Sequence, residues 1–287
     1  MMSPQKLVIA ACALLWLAVS PCLAAEALPA ANLLDAGYRD MYNLQFGNAH
    51  LAFQRWQQEH PDDPLGPVSD AAAYLFAEFD RLHVLELELF TNDGNFESRS
   101  RPAPDAQVKQ AFMAQLAKGR QLAQSAVARD PGDVNAQLAS VFAFGLEGDY
   151  LAMIEKRDMQ ALKFVKEGRT IAERLLASNP HCYDAYLAVG VENYLLSLKP
   201  APVRWFLRIG GAQTDKTAGL EKLRITAEKG HYLLPYARLL LAVAALRDND
   251  RDRARSLLQG LVTNFPQNHL YRSELAKLEP TLSSGGR

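Results

Sequence analysis

Two short runs of this 287-residue sequence carry side chains that could do chemistry. His181-Cys182 sets an imidazole beside a thiol, a pairing that lowers a thiol's pKa or supplies half of a metal site. Adjacent residues of a helix do not face each other, however, and no second Cys/His cluster follows. Cys182 therefore also reads as a small buried hydrophobe at a helix start. Asp248-Asn249-Asp250-Arg251-Asp252 spaces its carboxylates like the opening of a calcium loop. Arg253 then stands where that loop requires glycine, and Gln259 where it requires a bidentate glutamate, so a solvated turn accounts for the run. G-x-S-x-G, G-x-G-x-x-G, a Walker loop and H-E-x-x-H are all missing. The reading is of a protein that is not an enzyme, with no catalytic residue, no metal and no cofactor assigned.

A third run points to contact rather than catalysis. Lys199 to Gly211 is a short apolar stretch bounded by prolines and a glycine pair, with Arg204 and Arg208 one turn apart and Trp205 between them. Seven cations face three acids from Lys199 to Lys229. Such a segment suits an anionic lipid surface or a partner's acidic patch. The reading preferred for it is a cap on the apolar end of a helical array, with its arginines in water.

Elsewhere the charge is balanced: 31 Lys and Arg against 32 Asp and Glu leave no global field to attract nucleic acid. The first residues differ from all that follow. Lys6 precedes an apolar run from Leu7 to Val19, a Ser20-Pro21 break and small residues to Ala27, the pattern of a secretory signal peptide over residues 1–25. Cleavage after Ala24, Ala25 or Ala27 fits. The run is shorter than the roughly 20 apolar residues that span a bilayer. Export to the periplasm or the extracellular space is expected; a lipoprotein is not, because Ile9-Ala10-Ala11-Cys12 comes too early. Cys12 and Cys22 lie in this leader, so the mature chain keeps Cys182 alone and closes no internal disulfide.

The elements that must position any site are repeated. Gly119-Arg120-Gln121-Leu122-Ala123 recurs 49 residues later as Gly168-Arg169-Thr170-Ile171-Ala172, each followed at equal distances by a proline, Pro131 and Pro180. The terminal segments show a shorter unit: Gly37, Ala49, Phe53 and Trp56 before Pro61, and Ala242, Ala254, Leu258 and Leu261 before Pro266. Small residues let two helices approach, large apolar ones fill the gap to the next pair, and proline stops the second helix. Here the chain resembles the tetratricopeptide-repeat (TPR) family, over about residues 28–280, with insertions near 91–104, 148–159 and 198–214. The resemblance implies an all-α, right-handed α-solenoid of stacked antiparallel helix pairs, about five irregular repeats. Apolar residues at three- and four-residue spacing support helix throughout. The stretch 69–90 is expected to be one long helix, and residues 281–287 a disordered tail.

In that family the first helix of each unit lines the concave surface. Carried over, its inward positions here are Leu34, Tyr38, Met41, Tyr42, Phe142, Val191, Tyr194, Tyr236 and Arg247. The family likeness implies a scaffold or adaptor that holds a protein or peptide partner in this groove. A second reading is a binding protein for a small amphipathic or lipidic ligand on the apolar lining. A third is that the same face is simply core, covered by the insertions.

Overall fold

The computed structural model describes residues 32–86, 102–197 and 215–279. The expected signal peptide, the tail and the segment with Arg204, Trp205 and Arg208 lie outside the described residues. Residues from Asn32 onward form one compact unit. Its regular structure among the described residues is helical: α1 (Leu33–Tyr42), α2 (Phe46–Glu59), α3 (Leu65–Arg81), α4 (Ala106–Arg129), α5 (Val134–Asp149), α6 (Asp158–Ser178), α7 (Tyr186–Ser197), α8 (Lys216–Lys229), α9 (Leu234–Arg247), α10 (Arg251–Asn264) and α11 (His269–Leu278). A π-helical turn, Tyr150–Ile154, follows α5, and a 3-10 turn, Tyr183–Ala185, precedes α7.

The helices pack most extensively as α1/α2, α3/α4, α5/α6, α7/α8 and α9/α10, each pair stacking on the next, with α11 covering the last. This is an all-α, TPR-like stack of five helix pairs. Sequence sets most helix starts: the side chains of Asn32, Asp105, Asp133, Asp215, Asp250 and Asn268 each accept from a backbone N–H two or three residues on.

The repeat is also written in the turns. After α1, the Leu44 N–H donates to the Met41 carbonyl and the Gln45 N–H to that of Asp40; after α9, Asn249 and Asp250 donate to Leu246 and Ala245 in the same way. After α3, His83 and Val84 repeat it with Asp80 and Phe79. The middle residue of each turn, Leu44, His83 and Asn249, has φ near +60° (63°, 53° and 60°), as this helix ending requires. Thus α3 ends at Arg81, and the expected single helix over 69–90 is broken there: Asp80 and Phe79 carbonyls are capped by a turn rather than by a further helical residue. Four of the five second helices end alike, at His60, Asp130, Asn179 and Phe265, each followed by proline, whereas α8 ends at Gly230. Among the longer connections, those between α3 and α4, α5 and α6, and α7 and α8 all join the first helix of a pair to its second.

Within a pair the backbones meet closely. A Cβ on Gly219 would lie 2.6 Å from the Tyr194 amide nitrogen and 3.0 Å from the Gly190 carbonyl oxygen, so α7 and α8 touch through two glycines. In the first pair the same approach seats the Phe53 ring against Gly37.

Candidate functional site

The first helix of each pair, α1, α3, α5, α7 and α9, faces a shared interior. The stack does not leave this face open, because its two ends meet. The Tyr42 hydroxyl donates to the Tyr232 carbonyl (3.0 Å), the Asn268 amide donates to the Tyr42 carbonyl (2.8 Å), and the Gln267 N–H donates to Asn43 Oδ1 (3.1 Å). The Tyr38 and Tyr232 rings stack at 4.6 Å, Tyr42 packs on Phe265 at 5.5 Å, and His231 Nε2 lies 2.7 Å from Asp35 Oδ1. Each contact joins the first repeat to residues some 190 positions or more away, so the array closes on itself.

Closure leaves a cavity of about 220 Å³. Tyr38, Met41, Tyr42, Phe142, Val191, Tyr194 and Tyr236 all line it, whereas Arg247 does not. Leu34 is buried but outside the lining. The aromatic lining is nearly inaccessible from outside: Tyr38, Met41, Tyr42 and Tyr194 are 4%, 1%, 2% and 3% exposed. Three of the four tyrosine hydroxyl groups are hydrogen-bonded, that of Tyr236 to Asp149. Ser69 donates to the Tyr38 hydroxyl (3.0 Å), and Tyr42 reaches the Tyr232 carbonyl. Tyr194 is different, for its buried hydroxyl has no hydrogen-bond partner among the described residues.

Two carboxyl groups join the lining. Asp184 accepts from the backbone N–H groups of His231, Tyr232 and Leu233 (2.9–3.2 Å) and so holds the start of α9; burial raises its pKa, against those bonds. Asp149, the last residue of α5, accepts at Oδ2 from the Tyr236 hydroxyl (3.2 Å). It lines the cavity and keeps part of its surface accessible. Burial pushes its carboxyl up to about 7, with the Tyr236 hydrogen bond opposing. The π-helical turn begins at the next residue and adds Ala152 and Met153 to the lining. Such turns insert one extra residue and recur at functional sites.

Asp149 was not among the residues selected from sequence, although a signal existed. Phe142, Gly145, Leu146 and Asp149 follow at i, i+3, i+4 and i+7, placing one acid on an otherwise apolar stripe. Ala72 and Phe76 of α3 were missed as well, for no inward position had been assigned to the second pair.

The other candidates hold less. Burial pushes the Cys182 thiol up to about 11, the reverse of an activated nucleophile. Asp248-Asn249-Asp250 forms the turn between α9 and α10, with Asp250 capping Arg253 N–H (3.0 Å). His50 Nδ1 meets the fully buried Asp70, while its ring packs on Tyr74 at 4.0 Å, a tie between α2 and α3. A shallow depression outside the array gathers Arg224, Arg238 and Arg253 with Glu228. Arg238 Nε there donates to the Ala227 carbonyl, and Arg224 pairs with Glu221. No three His, Cys, Asp or Glu among the described residues converge as metal ligands, and no described helix is long and apolar enough to cross a membrane.

No family model and no curated protein matches the chain significantly. Among solved structures it is similar to a thermophilic TPR protein of Thermus thermophilus, with 14% identity, a TM-score of 0.45, and 86% of this chain and 97% of that one covered. The chain is an all-helical protein of repeated helix pairs over its described residues. That statement stands on its own helix pairs and repeated turns rather than on so distant a likeness, which carries nothing about what the scaffold holds.

Proposed function

We propose that this chain is an exported helical-repeat binding protein that holds a small, mostly apolar ligand inside its closed array. The observation that carries the reading is the cavity: seven aromatic and aliphatic residues on the inward positions line one space, and the ends of the array meet beside it. A peptide laid along a TPR-like concave face needs that face exposed, and here the ends of the array meet across it. A cavity of about 150 Å³ lined by aliphatic and aromatic groups suffices for benzene, so about 220 Å³ accommodates a ring with a short tail. The signal-peptide pattern of residues 1–25 supports action outside the cytoplasm. Binding to a protein partner then belongs to the outer surface of the scaffold.

Native mass spectrometry of the purified chain tests this, before and after extraction with organic solvent. A non-covalent adduct of small-molecule mass, absent from Gly145→Phe, is the expected result. Gly145 lines the cavity and a Cβ placed there meets nothing within 4 Å, so a larger side chain can be introduced at that point to occupy the space. A co-purifying polypeptide with the cavity empty, retained by Gly145→Phe, would favour the adaptor reading instead.

A further inference from the structure

A ligand must match more than the apolar walls, because one acid of the lining, Asp149, has unused capacity. Asp149 uses Oδ2 for Tyr236, and hydrogen bonds to its Oδ1 are not among those formed by the described residues. Asp184, the other acid of the lining, is saturated by three backbone N–H groups and serves α9.

The sign of the charge is the informative part. No lysine, arginine or histidine is among the described residues that line the cavity. Arg247, which is not part of the lining, acts on Tyr194, and Asp248 beside it acts in the opposite sense. The two influences on the Asp149 carboxyl are burial and a tyrosine hydroxyl, neither of them a cation. An anionic head group would meet a carboxyl without compensation, while a cationic one would complete an ion pair inside an apolar surround, where such pairs are screened least.

We infer that the cavity selects small apolar molecules bearing an amine, whose ammonium is held by Asp149, and discriminates against molecules of the same shape bearing a carboxylate. The inference rests on the cavity being a ligand site, and it narrows the ligand's class from amphipathic to cationic amphipathic.

Three probes of one skeleton separate the possibilities: 3-phenylpropylamine, 3-phenylpropan-1-ol and 3-phenylpropanoate, titrated calorimetrically into the purified chain near neutral pH. The amine is expected to bind at least tenfold more tightly than the carboxylate, with the alcohol between. Asp149→Asn, nearly isosteric, should bring the amine to the level of the alcohol and leave the alcohol unchanged. Tyr236→Phe, which removes a neighbour and keeps the carboxyl, should retain the preference for the amine. Binding of the alcohol with no preference for the amine, or a preference that survives Asp149→Asn, overturns the head-group assignment alone. Failure of all three probes overturns the cavity reading with it. The comparison on the unaltered chain decides the matter even if a variant folds poorly.

Discussion

Asn268 joins the two ends of the array: its side-chain nitrogen donates to the carbonyl oxygen of Tyr42 at 2.8 Å while its oxygen caps α11 through the Tyr271 N–H at 3.0 Å. One buried amide therefore does two separable jobs. Asn268→Asp keeps the cap and removes the donor, leaving the Tyr42 carbonyl short of a partner at a cost of roughly 1–3 kcal/mol. Asn268→Ala loses the cap as well, about 1 kcal/mol more. Thermal unfolding should rank wild type above Asn268→Asp above Asn268→Ala. Equal midpoints for all three would show that this contact does not hold the array closed.

Asp149 predicts an unusual pH dependence. An ordinary aspartate in the unfolded chain titrates near 4, whereas burial moves the folded one up to about 7. The folded state then binds the proton more tightly, so the group favours folding most below about pH 4. That contribution is lost as pH rises through 7. Asp149→Asn should accordingly unfold at a higher temperature than wild type at pH 8 and at nearly the same temperature at pH 4. A variant less stable than wild type at pH 8, with no ligand present, would contradict this.

The two kinds of glycine should respond in opposite directions to alanine. Gly145→Ala adds a methyl group to open space within α5 and should stabilise by about 0.5–1 kcal/mol through helix propensity. Gly219→Ala drives a Cβ against the Tyr194 backbone at 2.6 Å and should destabilise by about 1–3 kcal/mol. Denaturant titration of both measures the difference. A stabilised Gly219→Ala would mean that α7 and α8 can separate without loss.

Asp184→Ala should be among the most damaging single changes near the cavity. It strips the His231, Tyr232 and Leu233 N–H groups of their acceptor at the entry to α9, each orphan costing roughly 1–3 kcal/mol where water cannot reach it. Hydrogen exchange should show those three amides losing protection first. Unchanged protection would remove Asp184 from its role in holding α9.

Sequence by itself determined the repeating unit. Gly37 with Phe53, the Gly119 and Gly168 copies, and the prolines at 61, 131, 180 and 266 are local signals, each acting within one helix pair or one turn, and they are legible because pairs contact only their neighbours. The inward positions followed from the same periodicity, which is why seven of those selected meet in one space. Whether that space is open was decided only by tertiary structure. Closure depends on Tyr42 meeting Tyr232 and Asn268, contacts between residues 190 and 226 positions apart, set by small rotations accumulated over every pair. The same holds for Asp149: the apolar stripe of α5 marks it as inward, but its pairing with Tyr236, 87 positions away, is set only by the folded chain. Arg247, by contrast, ends its helix one turn beyond the lining, where an inward register no longer means an inward side chain.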